Sequence, residues 1–199
     1  MTLVLVFDSE TTGVPARGEV VTSPAYPHIV ELAGLLIDDA IGYEVSSFDF
    51  IVQPDGWFIP DEAAAVHGIT QARALVQGVP LALAVAAYVN LRALADEIAG
   101  HNVSFDLGVV AAAIHRLGRT PAHRGPAAVV CTADLGAPYV KLPPTEKMIA
   151  YGYGPYKRPT LSGELYAHLF SEPFEDAHTA LADCRATARC LLELRRRAG

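Results

Sequence analysis

The chain opens with a continuous apolar run and continues with two further strand-like patterns. Met1–Phe7 has the composition of a buried strand, and Ile29–Asp38 repeats it. Val45–Gln53 alternates apolar with polar positions, which predicts a third strand. The turn residues of Asp38–Gly42 would join the last two strands into an antiparallel hairpin. Three consecutive strands are therefore expected to begin a sheet, with a surface loop over Val14–Pro27 after the first.

Helical periodicity dominates the rest of the chain. The later segments are predicted, in chain order, as a helical or looped connector at Pro60–Ala74, a helix at Leu81–Ile98, a strand at Ile98–Asn102, a helix at Ser104–Leu117, a strand at Ala127–Cys131, a helix at Leu161–Phe170 and a last helix at about Asp176–Arg197. The last helix has a regular apolar stripe at spacings of three and four. Strands first, then strands alternating with helices, predict an α/β fold with a mixed central β-sheet flanked by helices.

Composition narrows the class of protein. A chain of 199 residues that is 51% hydrophobic suits a single globular domain over residues 1–199. The opening apolar run, Leu3–Phe7, follows no basic segment and is too short for a signal peptide or a membrane span, so we expect a cytoplasmic protein with no membrane anchor. Cys131, Cys184 and Cys190 lack paired spacing, which indicates reduced core thiols rather than disulfides or a zinc site.

The charge is acidic overall but unevenly distributed. A net charge of −7 argues against a protein that coats long stretches of nucleic acid through a basic surface, although it is compatible with one that grips a short end. Pro138–Gly163 contains every lysine of the chain, and only Glu146 opposes them there. The segment interleaves these cations with Tyr139, Tyr151, Tyr153 and Tyr156. This pattern predicts either a track for single-stranded nucleic acid or an ordered tyrosine-rich loop covering the sheet.

Asp8 and Glu10 stand one residue apart at the end of the opening apolar run. Because alternate residues of a strand point to the same face, the two carboxylates should project together while Phe7 and Ser9 face away. Two adjacent anionic groups need a cation, which indicates a metal site. With 22 acids in 199 residues, roughly two acid-x-acid triplets are expected by chance. The pair therefore needs support from elsewhere in the chain.

Two more acids and a histidine lie near the ends of later elements. Asp106 follows a predicted strand-to-helix junction, where active-site groups gather, although an acid in a first helical turn also stabilises the helix dipole. Asp183 lies next to the apolar stripe of the last helix, near the core boundary, where a carboxylate needs a partner. His178, five residues earlier, is either a capping or packed residue or a group that accepts a proton near neutral pH, as activation of water requires.

Three short motifs that contain these acids follow one another along the chain. Phe7–Gly13 (FDSETTG), His101–Asp106 (HNVSFD) and His178–Asp183 (HxxxxD) resemble the three exonuclease motifs of the DnaQ-like 3′ to 5′ exonucleases, in their histidine-containing DEDD branch. Val66–Thr70 (VHGIT) resembles the family's nucleotide-contacting loop. The resemblance runs from Leu3 to about Leu194. It implies a ribonuclease H-like exonuclease fold, which agrees with the order of elements predicted above.

The resemblance also implies a cofactor and a catalytic set. Asp8, Glu10, Asp106 and Asp183 would bind two divalent cations, Mg²⁺ or Mn²⁺, with Asp8 as the bridging ligand. His178 would be the general base that takes a proton from the attacking water.

Substrate contacts follow from the same resemblance. Thr11, Thr12 and Gly13 would grip the terminal nucleotide through backbone and hydroxyl groups. The remaining candidates each have a structural alternative: Phe105 either stacks near the substrate or packs in the core, and His67 and Asn102 either contact the substrate or stabilise turns.

The implied activity is release of nucleoside monophosphates from nucleic acid 3′ ends, with single-stranded DNA as the favoured partner and proofreading or DNA repair as the setting. One alternative is an exoribonuclease that trims RNA 3′ ends or short oligoribonucleotides, since the choice depends on how the pocket treats the 2′-hydroxyl. A second is a noncatalytic, polymerase-associated interaction subunit, against which the complete set of acids argues. The chain ends directly after its last predicted helix, which favours an enzyme acting without a polymerase partner, as a monomer or a homodimer.

Overall fold

The computed structural model describes residues 2–120, 128–174 and 179–199. Its strands are β1 (Leu3–Thr11), β2 (Ile29–Asp38), β3 (Tyr43–Ile51), β4 (Glu97–Gly100) and β5 (Ala128–Cys131). Its α-helices are α1 (Asp61–His67), α2 (Gln71–Gln77), α3 (Leu81–Leu94), α4 (Ser104–Arg116), α5 (Thr132–Val140), α6 (Glu146–Tyr151), α7 (Ala167–Phe170) and α8 (Ala180–Ala198). A π-helical segment, Leu161–Tyr166, leads directly into α7.

The strands form one sheet in the order β3-β2-β1-β4-β5. The three sequential strands pair antiparallel, whereas β4 pairs parallel with β1 and β5 pairs parallel with β4. Gly42, at φ 67°, closes the turn between β2 and β3, and its N–H donates to the Asp38 carbonyl oxygen at 2.8 Å. The predicted mixed sheet flanked by helices is therefore confirmed, and β1 lies at its centre.

The two faces of the sheet are covered by different helices. Leu5 and Phe7 of β1 belong to an apolar core that includes residues of α3 and α4. Val4 and Val6 point the other way, into a core completed by the buried stripe of α8. Even-numbered positions of β1 thus face α8, which decides where the acids that follow them project.

Helix α3 is shorter than predicted and ends at Leu94 rather than Ile98. The chain pairs with β1 immediately afterwards: the Asp96 N–H donates to the Leu3 carbonyl oxygen, and the Leu3 N–H donates to the Asp96 carboxylate, both at 2.8 Å. Ile98 is consequently a buried residue of β4. An apolar run of this length does not separate a helix from a buried strand by periodicity alone, which explains the error.

Other strand and helix boundaries differ from the predicted ones by a few residues. Strand β1 continues to Thr11, well beyond the predicted end at Phe7, so Asp8 and Glu10 lie inside it. Strand β4 ends at Gly100, and Asn102 follows in a turn at φ 63°. The predicted start of the last helix lies partly outside the described residues. Among the helices of residues 2–120, 128–174 and 179–199, we find none with the length and apolar composition needed to cross a membrane.

Candidate active site

Asp8 and Glu10 lie on the central strand and project from the face that α8 covers. In the antiparallel register, Asp8 is opposite Ala33 and Glu10 is opposite Glu31. The strand continues without interruption through both acids, so their separation is set by the pleat rather than by a loop. The two carboxylates therefore lie side by side, as the alternation predicts.

Asp183 approaches the same pair from the first turn of α8. Oxygen atoms of Asp8, Glu10 and Asp183 lie within 4.8 Å of one another. The neighbouring Cys184 is fully buried, and its Sγ lies 3.7 Å from the carbonyl oxygen of Ala33 on β2. The packed stripe of α8 thus fixes the first turn of the helix over β1 and brings the third carboxylate to the other two.

Asp106 comes from the opposite side, in the first turn of α4. It is only 3% exposed, and its Oδ1 accepts hydrogen bonds from the Ser9 N–H at 3.0 Å and the Ser9 hydroxyl at 2.6 Å. Ser9 is the strand residue between Asp8 and Glu10, and it faces away from them. A single strand residue therefore ties Asp106 to the part of β1 that bears the other acids.

Burial and the proximity of other acids raise the pKa values of Asp8, Glu10 and Asp106. Burial is the largest cause for Asp8, whose pKa lies well above its ordinary value, and the charges of Asp106, Asp183 and Glu10 raise it further. Burial and the Asp183 charge raise the pKa of Glu10 from 4.5 to about 7. Burial likewise raises the pKa of Asp106 from 3.8 to about 7, against the opposing effect of the Ser9 hydrogen bonds. The folded chain therefore resists full ionisation of this site unless a cation offsets the charges.

The donor set suits a hard divalent cation. All the converging atoms are carboxylate oxygens, which Mg²⁺ and Mn²⁺ prefer over nitrogen or sulfur ligands. Burial raises the pKa values of Asp8 and Glu10 and the neighbouring acids raise them further, so a bound cation would offset both effects. The residues present therefore fit the divalent metal that the exonuclease resemblance implies.

Glu31 is a buried carboxylate that no motif of the sequence indicates. Its Oε2 accepts a hydrogen bond from the N–H of Ala180, the first residue of α8, at 2.8 Å. Thr179, the residue at the N-cap position, makes no capping hydrogen bond through its side chain. Glu31 of β2 therefore caps the helix from a distance and fixes its start three residues before Asp183. Burial raises the pKa of Glu31, whereas the Ala180 hydrogen bond lowers it.

The end of β1 forms a tight turn beside the acids. The Thr11 hydroxyl donates to the Gly13 carbonyl oxygen at 2.6 Å, and the Thr12 hydroxyl accepts from the His28 N–H at 2.9 Å. Gly13 has φ 148°, which L-residues with a side chain rarely adopt. The three predicted nucleotide-gripping residues thus lie in one ordered turn next to Glu10.

His67 is buried at the end of α1. Its Nδ1 accepts from the Ile69 N–H at 3.1 Å, so the proton of the neutral ring lies on Nε2. That Nε2 is buried near the Thr11 backbone but forms no hydrogen bond of normal geometry with any described residue. Burial lowers the pKa of His67, which keeps the ring neutral. The ring therefore connects the end of α1 to the Thr11 backbone at the end of β1.

A cavity of about 540 Å³ opens over Asp8 and Asp183, and Asn102 and Arg158 contribute to its wall. The Arg158 guanidinium donates to the Asp134 carboxylate at 2.8 Å and to the Asn102 side-chain oxygen at 3.3 Å. Arg158 is therefore a cation held in a defined orientation at the rim of an acidic pocket. The sequence offered no signal for this contact beyond the basic character of the Pro138–Gly163 segment.

His101 fixes the chain around Arg158. Its Nδ1 lies 3.0 Å from the Thr132 hydroxyl, and its Nε2 lies 2.9 Å from the Pro159 carbonyl oxygen. Burial lowers the pKa of His101, so the ring is neutral and each nitrogen serves one hydrogen bond. This histidine links the end of β4 to the start of α5 and to the residue after Arg158.

Two predicted site residues remain without support from the site geometry. Phe105 is partly buried and packs against the core formed with α3 and α4, which favours its structural role. His178, the predicted general base, lies outside the described residues.

Comparison with known proteins agrees with this fold. The RNase_T family model, described as an exonuclease, matches residues 5–191. No curated protein sequence matches the chain. E. coli exonuclease I in complex with a dT13 oligonucleotide superimposes with a TM-score of 0.72 at 21% identity, covering 99% of this chain and 42% of that chain. A moderately thermophilic exonuclease I from Methylocaldum szegediense gives a TM-score of 0.71 at 20% identity, covering 99% and 41%.

A shorter relative covers both chains almost fully. Exonuclease X in complex with 5′ overhanging duplex DNA gives a TM-score of 0.59 at 22% identity, covering 98% of this chain and 93% of that chain. By contrast, this chain spans only 42% of the length of E. coli exonuclease I. Because the family model extends over nearly the whole sequence and the sheet matches that of solved exonucleases, the chain belongs to the RNase_T exonuclease family, in the DnaQ-like group of the ribonuclease H-like superfamily.

Proposed function

We propose that residues 1–199 form a single exonuclease domain that removes nucleoside monophosphates from the 3′ end of single-stranded DNA with two divalent cations. The observation that carries this proposal is the convergence of Asp8, Glu10 and Asp183 oxygens within 4.8 Å, with Asp106 bonded to the intervening Ser9. The site lies at the floor of a cavity of about 540 Å³ with an arginine at its rim. DNA is favoured over RNA because the exonuclease I and exonuclease X structures cited above contain DNA.

Each acid has a distinct structural origin in the proposed site. Asp8 and Glu10 come from a central strand, Asp183 from α8 and Asp106 from α4, so the ligands are positioned by rigid elements on both sides of the sheet. Divalent cations held by these four residues would activate water and stabilise the departing 3′ oxygen. Before cations bind, the raised pKa values of Glu10 and Asp106 leave the site partly protonated near neutral pH.

The remaining residues bind substrate and move the proton. His178 accepts the proton of the attacking water, since imidazole titrates near neutral pH. The Thr11–Gly13 turn and the His67 loop beside it hold the terminal nucleotide. Arg158, oriented by Asp134 and Asn102, pairs with a backbone phosphate entering the cavity.

Cleavage of an oligonucleotide labelled at its 5′ end tests this proposal. With Mg²⁺ or Mn²⁺, the purified protein is expected to produce a ladder of products that shortens from the 3′ end. A substrate left intact while a control exonuclease shortens it would contradict the proposal. A matched RNA strand, degraded in parallel, distinguishes the exoribonuclease alternative, because only the 2′-hydroxyl differs.

We also propose that the domain acts without a polymerase subunit. Size-exclusion chromatography followed by the cleavage assay tests this. A fully active monomer or homodimer is expected, whereas activity that appears only after addition of a polymerase would contradict it.

A further inference from the structure

The segment Leu142–Lys157 forms an excursion closed at its base. Leu142 and Lys157 pair in an isolated antiparallel bridge, and the Lys157 N–H donates to the Leu142 carbonyl oxygen at 3.1 Å. Helix α6 lies within this excursion and contains no buried residue. The excursion is therefore held by its base and by its own turns rather than by insertion into the core.

The excursion exposes aromatic surface. Tyr151 is 67% exposed and Tyr153 is 61% exposed. Their rings are stacked, with centroids 6.0 Å apart and an interplanar angle of 23°. The nearby Ile149 is 68% exposed as well. Neither tyrosine contributes to the packed clusters of the described chain, so core packing does not explain the pair. Clustered exposed apolar groups of this kind mark interaction surfaces.

The charge around this surface is opposite to that of the whole chain. All three lysines of the sequence, Lys141, Lys147 and Lys157, lie within the excursion or directly before it, although the net charge is −7. Lys141 and Lys147 are exposed, and Lys157 pairs with Glu164 at 3.4 Å. Stacked rings among cations suit a polyanion that carries flat bases better than they suit an apolar protein partner.

The tyrosine pair is connected directly to the active-site cavity. Arg158, at the rim of that cavity, follows the base of the excursion by one residue. Tyr153 is five residues from Arg158, which limits their separation to about 18 Å even for a fully extended chain. A strand whose 3′ end lies over Asp8 and Asp183 can therefore reach the tyrosines within a few nucleotides.

We propose that Tyr151 and Tyr153 form a stacking platform for bases on the 5′ side of the terminal nucleotide of single-stranded DNA. The proposal rests on the function proposed above and adds a second contact region to it. The platform would bind bases through their faces, without sequence preference, while the lysines attract the backbone. It predicts that affinity depends on strand length, because a very short strand would occupy the cavity without reaching the rings.

Binding of 5′-fluorescent oligo-dT in EDTA, measured by anisotropy, separates this contact from hydrolysis. In the double variant Tyr151→Ala/Tyr153→Ala, the Kd for strands of about 15 nucleotides should rise about tenfold, within the range for loss of base–aromatic stacking. The Kd for dinucleotides, which are too short to extend from the cavity to the rings, should not change. Tyr151→Phe/Tyr153→Phe should bind like wild type, since the ring faces remain. Tyr43→Ala, an equally exposed tyrosine on β3, is the matched control.

An unchanged Kd for the long strand, an equal change for both lengths, or failure of wild type to bind the long strand would each overturn the platform. The first of these results is the one expected if the surface instead binds a protein. Failure of the proposed function gives a different result: length-dependent binding that requires the tyrosines, without hydrolysis in Mg²⁺ or Mn²⁺.

Discussion

The substitution Asp8→Asn should stabilise the metal-free protein at alkaline pH while abolishing cleavage. Asp8 lies among Glu10, Asp106 and Asp183, and burial together with these charges raises its pKa well above the ordinary value. Asparagine has nearly the same shape and carries no charge. The variant therefore removes the repulsion among the acids while preserving the packing of β1.

The size of the effect follows from the neighbouring acid. Raising the pKa of Glu10 from 4.5 to about 7 corresponds to about 3 kcal/mol of unfavourable free energy for ionisation in the folded state. Allowing for partial exposure of Glu10 to water reduces this to about 2 kcal/mol. Asp8 lies among the same acids, so removal of its charge is expected to stabilise the metal-free protein by an amount of this order. For a domain of this size, that corresponds to about 5–10 °C in Tm.

The difference in stability between Asp8→Asn and wild type depends on pH and on bound metal. Because the folded-state pKa values are raised, the folded protein binds more protons than the unfolded chain between pH 4 and pH 7, and its stability falls as the pH rises through that range. The advantage of Asp8→Asn should therefore be large at pH 8 and small at pH 5. Mn²⁺ should raise the Tm of wild type at pH 8 and should raise that of the variant much less.

Thermal unfolding followed by circular dichroism in EDTA, and again in Mn²⁺, measures these differences. Asn90→Ala, at a position on α3 outside the acid cluster, provides a variant that should show neither effect. If Asp8→Asn in EDTA at pH 8 is no more stable than wild type, or if both proteins gain equally from Mn²⁺, repulsion among these acids does not limit the stability of the metal-free protein. Undiminished cleavage by Asp8→Asn would refute the proposed role of Asp8 itself.

Three further substitutions test other parts of the site. His178→Ala should lose most of the cleavage rate yet keep the Mn²⁺-induced rise in Tm, because the four acids remain. Loss of that rise would contradict a role of His178 limited to proton transfer. Glu31→Ala should destabilise the protein by about 1–3 kcal/mol, because it leaves the Ala180 N–H unsatisfied. Glu31→Gln retains an acceptor and should keep the stability measured by chemical denaturation and the activity measured by cleavage. Equal losses in both variants would argue against capping by Glu31. His67→Ala should raise KM for an oligonucleotide several-fold with the Mn²⁺ response unchanged, and an unaltered KM would exclude the predicted contact.

Features with a local sequence period were predictable. The shared direction of Asp8 and Glu10 follows from strand alternation, and the position of Asp183 near the core follows from the apolar stripe of α8. The hairpin between β2 and β3 was indicated by turn residues at its tip. In each case the pattern lies within a few residues, where backbone geometry alone relates the side chains.

Features that depend on distant partners were not predictable in the same way. In the sequence, Glu31 is a single polar residue within an apolar strand. Its hydrogen-bond partner Ala180 is 149 positions away. The bond from Ser9 to Asp106 joins residues 97 positions apart. These contacts exist only after α8 and α4 have packed on opposite faces of the sheet. The sequence motifs indicated that Asp8, Glu10 and Asp183 lie together, and the tertiary structure shows which other residues hold them there.

The most direct test of the proposed site is a crystal structure of the Mn²⁺-soaked protein with a bound nucleoside monophosphate, using anomalous scattering to locate manganese. Two manganese peaks are expected, roughly 3.5–4 Å apart, bound by carboxylate oxygens of Asp8, Glu10, Asp106 and Asp183. The nucleotide should lie against the Thr11–Gly13 turn and His67. Manganese bound elsewhere, or no manganese among these four acids, would show that they do not form the metal site.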